Sequence, residues 1–198
     1  MNYLAHAYLS FNQPSVLAGN MVSDYVKGKK QFDFPPAIQV GIQLHRHIDD
    51  FTDHHVATRR IAEVFKPDYR LYSGAFADIV YDYFLANDGN SFPADADLLQ
   101  FSQQTYRQLR QHSEWFPPPF AAMFPYMESQ NWLYNYRFDH GIQKSFAGLA
   151  RRAAYLQESD RAFELFLNNK PLFKEQYDLF FGSVKKFAAD TLQQLLKH

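Results

Sequence analysis

Apolar positions along this chain recur at intervals of three and four, and alternating Val/Ile-rich runs are absent. That spacing lines one face of a helix, so the pattern predicts an all-α fold. Helices are expected over roughly 14–28, 36–56, 68–87, 95–113, 119–135, 139–156, 159–168 and 171–197. Breaks fall at FDFPPA (32–37), ANDGNSFPAD (86–95) and WFPPPF (115–120), where Pro or Gly sits among polar neighbours. Ser159 or Asp160 reads as a helix start, and Asn169 with Pro171 as a break between helices. No repeat or long linker divides the chain, so a compact multi-helix single domain is expected.

Three of these segments carry acids on apolar faces. On a helix over 38–54, Ile38, Ile42, His45, Asp49 and Asp53 fall within about 80° of one another, which makes an inward set of the last three. His47, Asp50 and His54 fall on the opposite side and, together with His55, are expected in water. The pair His45/Asp49 is spaced so that both side chains can reach one ion. The segment FADIVYDYFLA (76–86) is apolar almost all round yet holds Asp78 and Asp82 one turn apart. A carboxylate in such a helix must be paired, protonated or bound to a cation. In LAGNMVSDYVKG, Asp24 again extends an apolar stripe, and His6 stands in the apolar run YLAHAYL.

Each of these has a plain alternative when taken alone. His45 with Asp49 reads as an ion pair or a satisfied core histidine, Asp78 and Asp82 as partners of Arg or Tyr, and Asp24 as a cap or a lysine partner. Three acid-bearing apolar faces in one helical protein favour a shared metal site.

Composition narrows the chemistry. The 198-residue chain contains no cysteine, which leaves His and carboxylates as ligands and points to Mn²⁺, Mg²⁺, Fe or Zn²⁺. With 46% hydrophobic residues, 20 Phe and 13 Tyr, it has ample material for a core. The net charge of −1 argues against nucleic acid or anionic membrane as a bulk partner. The opening MNYLAHAYLSFNQPS lacks a basic stretch, and its apolar run is broken by His6 and Asn12, so neither a secretion signal nor a membrane span is expected and the cytoplasm is the expected compartment. No Gly-rich phosphate loop and no Gly-x-Ser-x-Gly elbow occurs. Helix-borne His and Asp around an ion suit phosphoester hydrolysis. Asp24, His45, Asp49 and Asp78 are the expected ligands. Asp53 and Asp82 are expected beside them, either to hold ligands in place or to accept a proton. Arg46 and Arg152 are candidates to offset phosphate charge through a planar fork.

MNYLAHAYLS, GNMVSDYVKG, GIQLHRHIDDFTD and DIVYDYFLA occur in the order and near the spacing of the acyl carrier protein phosphodiesterase family. NWLYNY (131–136) and GLARR (148–152) resemble that family's later segments. Tyr83 stands where the family often has His, and Tyr81 where Trp is frequent. The resemblance implies a fold like that of the HD-domain phosphohydrolases. It also implies removal of 4′-phosphopantetheine from holo-acyl carrier protein with a divalent ion, typically Mn²⁺, with Mg²⁺ and Fe²⁺ as alternatives. By position it places His6, Asp24, His45, Arg46, Asp49, Asp53, Asp78 and Asp82 on family motifs. His6 is expected to lie near the substrate. A strongly acidic carrier protein calls for positive charge at the mouth of the site, for which Lys27, Lys29, Lys30, Arg59 and Arg60 are the candidates, with Arg152. Hydrolysis of a nucleotide or other small phosphoester, and a non-enzymatic helical binding module, are the alternatives.

Overall fold

The computed structural model describes residues 1–153 and 158–197. Among them are ten α-helices and no strand: α1 (Tyr3–Tyr8), α2 (Pro14–Val22), α3 (Pro36–His54), α4 (Val56–Tyr69), α5 (Ser73–Ala86), α6 (Asp95–Arg110), α7 (Pro118–Ser129), α8 (Trp132–Asn135), α9 (Asp139–Arg152) and α10 (Asp160–Leu195). Two short 3₁₀ turns, Ser23–Tyr25 and Gly28–Asp33, join α2 to α3. No helix among the described residues is long and apolar enough to cross a membrane.

The expected break at Asn169–Pro171 does not occur, and α10 runs 36 residues straight through it. The amide proton that Pro171 lacks would have gone to the carbonyl of Leu167, which is 42% exposed, so water can serve that carbonyl. Phe166 and Phe173, fully buried on either side of the proline, keep both halves seated on one core. The structure also adds two helices that the pattern did not assign. α1 is too short to show a period. α4 buries Ile61, Phe65 and Tyr69 at four-residue spacing, and its first turn is capped by His55, whose Nδ1 accepts from Ala57 N at 3.2 Å. His55, expected in water, is therefore partly buried between this cap and Phe180. The expected helix over 119–135 is two, α7 and α8, separated by Asn131 in a left-handed conformation (φ 46°). The 154–156 end of the expected helix over 139–156 lies outside the described residues.

The long α10 packs on α3, α4, α5 and α9. Phe65, Phe76, Phe146, Phe166 and Phe173 meet there in stacked and edge-on pairs. Each buried phenylalanine contributes roughly 1.5–3 kcal/mol, and that sum lets the fold carry several buried acids elsewhere. The pairing that builds the site is α2 on α3. A Cβ at Gly19 would stand 2.0 Å from the carbonyl oxygen of Ile38, and one at Gly41 2.1 Å from that of Val16. Only hydrogen fits at either position, so the two backbones touch. That contact brings the carbonyl of Asn20 to the next turn of α3, where His45 stands.

Candidate metal centre

His45 is buried, and its Nδ1 donates to the Asn20 carbonyl at 2.8 Å. This fixes the ring and aims Nε2 at Asp49 Oδ2 (3.0 Å, one turn on) and Asp24 Oδ1 (3.1 Å). Such a backbone hook on the far nitrogen is how histidines are commonly oriented toward an ion. Asn20 itself is fully buried, and its amide donates to the His6 carbonyl (2.9 Å) and to Ser10 Oγ (3.1 Å). One side chain thus ties α1 and α2 together, while the same residue's carbonyl holds α3.

α1 is placed by α5. Asp82 is fully buried and accepts from Leu4 N at 2.8 Å and Ala5 N at 2.9 Å, so it caps the amino end of α1 from another helix. Burial pushes its carboxyl up to about 7, against those two hydrogen bonds. Asp82, expected as a proton acceptor or ligand aid, has both oxygens committed to this anchor. With α1 held so, the His6 ring stacks on that of His45 (3.9 Å between centres, 14° between planes), and its Nε2 lies 3.1 Å from Asp49 Oδ1.

His6, His45 and Asp49 offer donor atoms that all lie within 4.8 Å of one another. Two imidazoles and a carboxylate make a donor set for a borderline or hard divalent cation. Two further observations fit such an ion. His6 Nδ1 is buried with no hydrogen-bond partner, so this ring is not held as an ordinary core histidine would be. The cluster also already neutralises positive charge: the buried amino group of Met1 lies 3.0 Å from Asp49 Oδ1 and 3.1 Å from Asp78 Oδ1. Burial pushes that amine down, but Asp78 and Asp49 outweigh burial and hold it up at about 11.

The expected ligands divide accordingly. His45 and Asp49 stand in the donor cluster together with His6, which was expected near the substrate rather than in it. Asp24 is exposed and touches the cluster through His45, and Asp78 reaches it through the Met1 amine. Asp53 belongs to the last turn of α3 and is exposed, not inward, because the buried face of that turn is carried by Ile48 and Thr52 and Asp53 lies beyond its edge. Arg46 also points away: it donates to Gln31 Oε1 (2.6 Å) and the Val26 carbonyl (2.9 Å), fastening the 3₁₀ segment that bears Lys29 and Lys30. Lys27, Lys29, Lys30, Arg59 and Arg60 are all exposed, Arg60 pairing with Glu63. Arg152, at the end of α9, is exposed; burial pushes the Tyr3 and Tyr136 hydroxyls well above the usual phenol range, and the Arg152 guanidinium acts against that at both. Asn20 and the Met1 amine were not anticipated. Gly19 and Gly41, each inside a helical run, were the available signal of close backbone approach.

The proton balance gives a testable consequence. Burial pushes His45 down, but Asp24 and Asp49 outweigh it and raise the ring to about 9, while burial and the neighbouring His45 lower His6 to about 4. At neutral pH the metal-free protein therefore carries a proton on His45 and none on His6. A cation at His45 Nε2 must displace that proton, so apparent affinity should rise about tenfold per pH unit up to about 9 and level off beyond it. The stability that His45 gives the metal-free fold runs the other way, being complete below the unfolded value of 6.5 and lost as pH rises through about 9. Titrating Mn²⁺ into protein at pH 6, 7 and 8 checks this; equal affinities at the three would contradict it.

A profile of the acyl carrier protein phosphodiesterase family matches residues 1–184. Proteins named acyl carrier protein phosphodiesterase are similar to the chain: that of Serratia proteamaculans is 30% identical over 96% of this chain and 98% of its own length. That of Klebsiella pneumoniae is 34% identical over 79% of this chain and 81% of its own, and that of Yersinia pestis 33% over 77% and 79%. No solved structure matches. By the extent of the family match and the shared identity, the chain belongs to the acyl carrier protein phosphodiesterase family.

Proposed function

We propose that the protein hydrolyses the phosphodiester that joins 4′-phosphopantetheine to a serine of holo-acyl carrier protein, giving apo-carrier protein and free 4′-phosphopantetheine. The observation that carries this reading is the convergence of His6, His45 and Asp49 in a chain of that family. A water oxygen bonds to phosphorus as the bond to the serine oxygen breaks, and the water's proton passes to the departing alkoxide.

His6, His45 and Asp49 would hold a divalent cation, with Asp24 and Asp78 flanking, and the absence of thiolates with this N,O donor set suits Mn²⁺, Mg²⁺ or Fe²⁺, of which we favour Mn²⁺. Such an ion supplies Lewis-acid polarisation of the phosphate and a more acidic bound water. The chain's own residues do the rest. Asn20 and Asp82 set the two imidazoles face to face. Asp53, one turn beyond Asp49 and with its carboxyl raised by partial burial and by Asp49, would take up a proton at the rim. Arg152 would offset charge on the non-bridging oxygens, and Arg46, which commits two of its five N–H donors to Gln31 and Val26, keeps three for such a role. Lys27, Lys29 and Lys30, with Arg59 and Arg60, give the exterior positive ground for an acidic partner, and Phe32, 62% exposed among the lysines, adds an apolar contact.

Mass spectrometry of holo-acyl carrier protein incubated with the protein and Mn²⁺ tests this. The carrier protein should lose the mass of the phosphopantetheine group, and a chelator should prevent the loss. An unchanged carrier protein alongside hydrolysis of a small phosphodiester would move the assignment to a small-molecule phosphohydrolase.

A further inference from the structure

Two tyrosine hydroxyls stand at the edge of the same cleft. Tyr3 lies one turn before His6 on α1, and together with His6, His45, Asp24 and Met21 it lines a small cavity over the donor cluster. Its hydroxyl is 3.1 Å from that of Tyr25, the residue after Asp24, and both rings are partly exposed. Each hydroxyl also lies within reach of the Met123 thioether, at 3.6 Å from Tyr3 and 3.7 Å from Tyr25.

The hydrogen count is informative. Two phenols own two hydrogens, and the bond between them uses one. Among the described residues the remaining hydrogen has one acceptor within reach, a thioether, which is among the weakest in proteins. A partly buried phenol normally finds an oxygen. Arg152, whose charge acts on Tyr3, adds positive potential at the same spot. A strong donor left on a poor acceptor, over a cluster of metal-ligand type, is suited to an anionic oxygen from outside.

We propose that the Tyr3–Tyr25 pair is a substrate-binding element that donates its spare hydrogen to a non-bridging phosphate oxygen, with Met123 holding that hydrogen until substrate arrives. This rests on the phosphodiesterase reading, yet it can be judged apart from turnover. The probe is inorganic phosphate titrated calorimetrically into the Mn²⁺-loaded protein. Each single Phe variant leaves the other hydroxyl with its own hydrogen unspent, so Tyr3→Phe and Tyr25→Phe should each weaken phosphate binding by less than the double variant does. The double variant removes the spare donor and should weaken it about tenfold or more, the range for a hydrogen bond to a charged group. Mn²⁺ affinity should be unchanged in both single variants, and Met123→Leu should bind phosphate at least as well as the parent.

The proposal is overturned if either of two results appears: phosphate that fails to bind the parent protein, or a double variant that binds it as the parent does. A parallel loss of Mn²⁺ affinity in the tyrosine variants would also overturn it, since the pair would then be holding the cluster and not the anion. Weakened phosphate binding without turnover of holo-carrier protein would leave the tyrosine pair standing and reject the function assigned above.

Discussion

Asp49→Ala is expected to abolish both metal binding and activity while leaving the helical fold in place. Asp49 bridges the cluster: one oxygen faces His6 and the Met1 amine, the other faces His45. Among the described residues no other carboxylate pairs with both imidazoles, so Asp24 and Asp78 cannot substitute from their flanking positions. Loss of a residue that merely supports a ligand already costs about 10–100-fold in metal affinity, and removal of the bridging ligand itself should exceed the upper end of that range. Turnover should fall by on the order of 10³ or more, since positioning and charge compensation fail together. Circular dichroism should hardly change, because the aromatic core around α10 lies elsewhere. His45 provides an independent readout: with one of its two carboxylates gone its titration, followed by NMR, should move down from about 9. Retained metal affinity in this variant would reject the cluster.

Asp82→Ala should do comparable damage by a different route. The substitution leaves the amide protons of Leu4 and Ala5 buried without an acceptor, at about 1–3 kcal/mol each, and opens a cavity in α5 as well. A loss of roughly 2–6 kcal/mol follows from the two orphaned donors. The expected consequence goes beyond stability. α1 would come off its anchor, His6 would leave His45, and metal affinity would drop although no donor atom had been removed. Asp82→Asn keeps one acceptor oxygen and should lie between the parent and the alanine variant in thermal midpoint. Thermal unfolding and Mn²⁺ titration of both variants check this; an alanine variant with parental metal affinity would show that α1 needs no anchor.

The contrast between these two acids marks how far the sequence could be read. Periodicity placed His45 and Asp49 on an inward face of α3, because a helix of 19 residues carries enough apolar positions to define a face. The same reasoning put Asp53 on that face and erred, since the buried stripe runs through Ile48 and Thr52 and leaves Asp53 beyond its edge. Asp78 and Asp82 were legible as buried acids needing a partner. Which partner each takes was not, because the backbone amides of α1 arrive from 77 and 78 residues away. His6 could be read only as a histidine in apolar company, since α1 is six residues long and its orientation is imposed by Asp82 and Asn20. In α10 the local signal of Pro171 was overridden by Phe166 and Phe173, whose burial on one core outweighs a single missing hydrogen bond.

The proposed metal centre requires His6, His45 and Asp49 to meet at one cation. Crystals grown with Mn²⁺ and measured at a wavelength where manganese scatters anomalously test this directly. A single strong peak is predicted at roughly 2.0–2.4 Å from a ring nitrogen of His6, from Nε2 of His45 and from a carboxylate oxygen of Asp49. A peak bound only by exposed carboxylates such as Asp50 and Asp53, or none at the stacked imidazoles under saturating Mn²⁺, would contradict it.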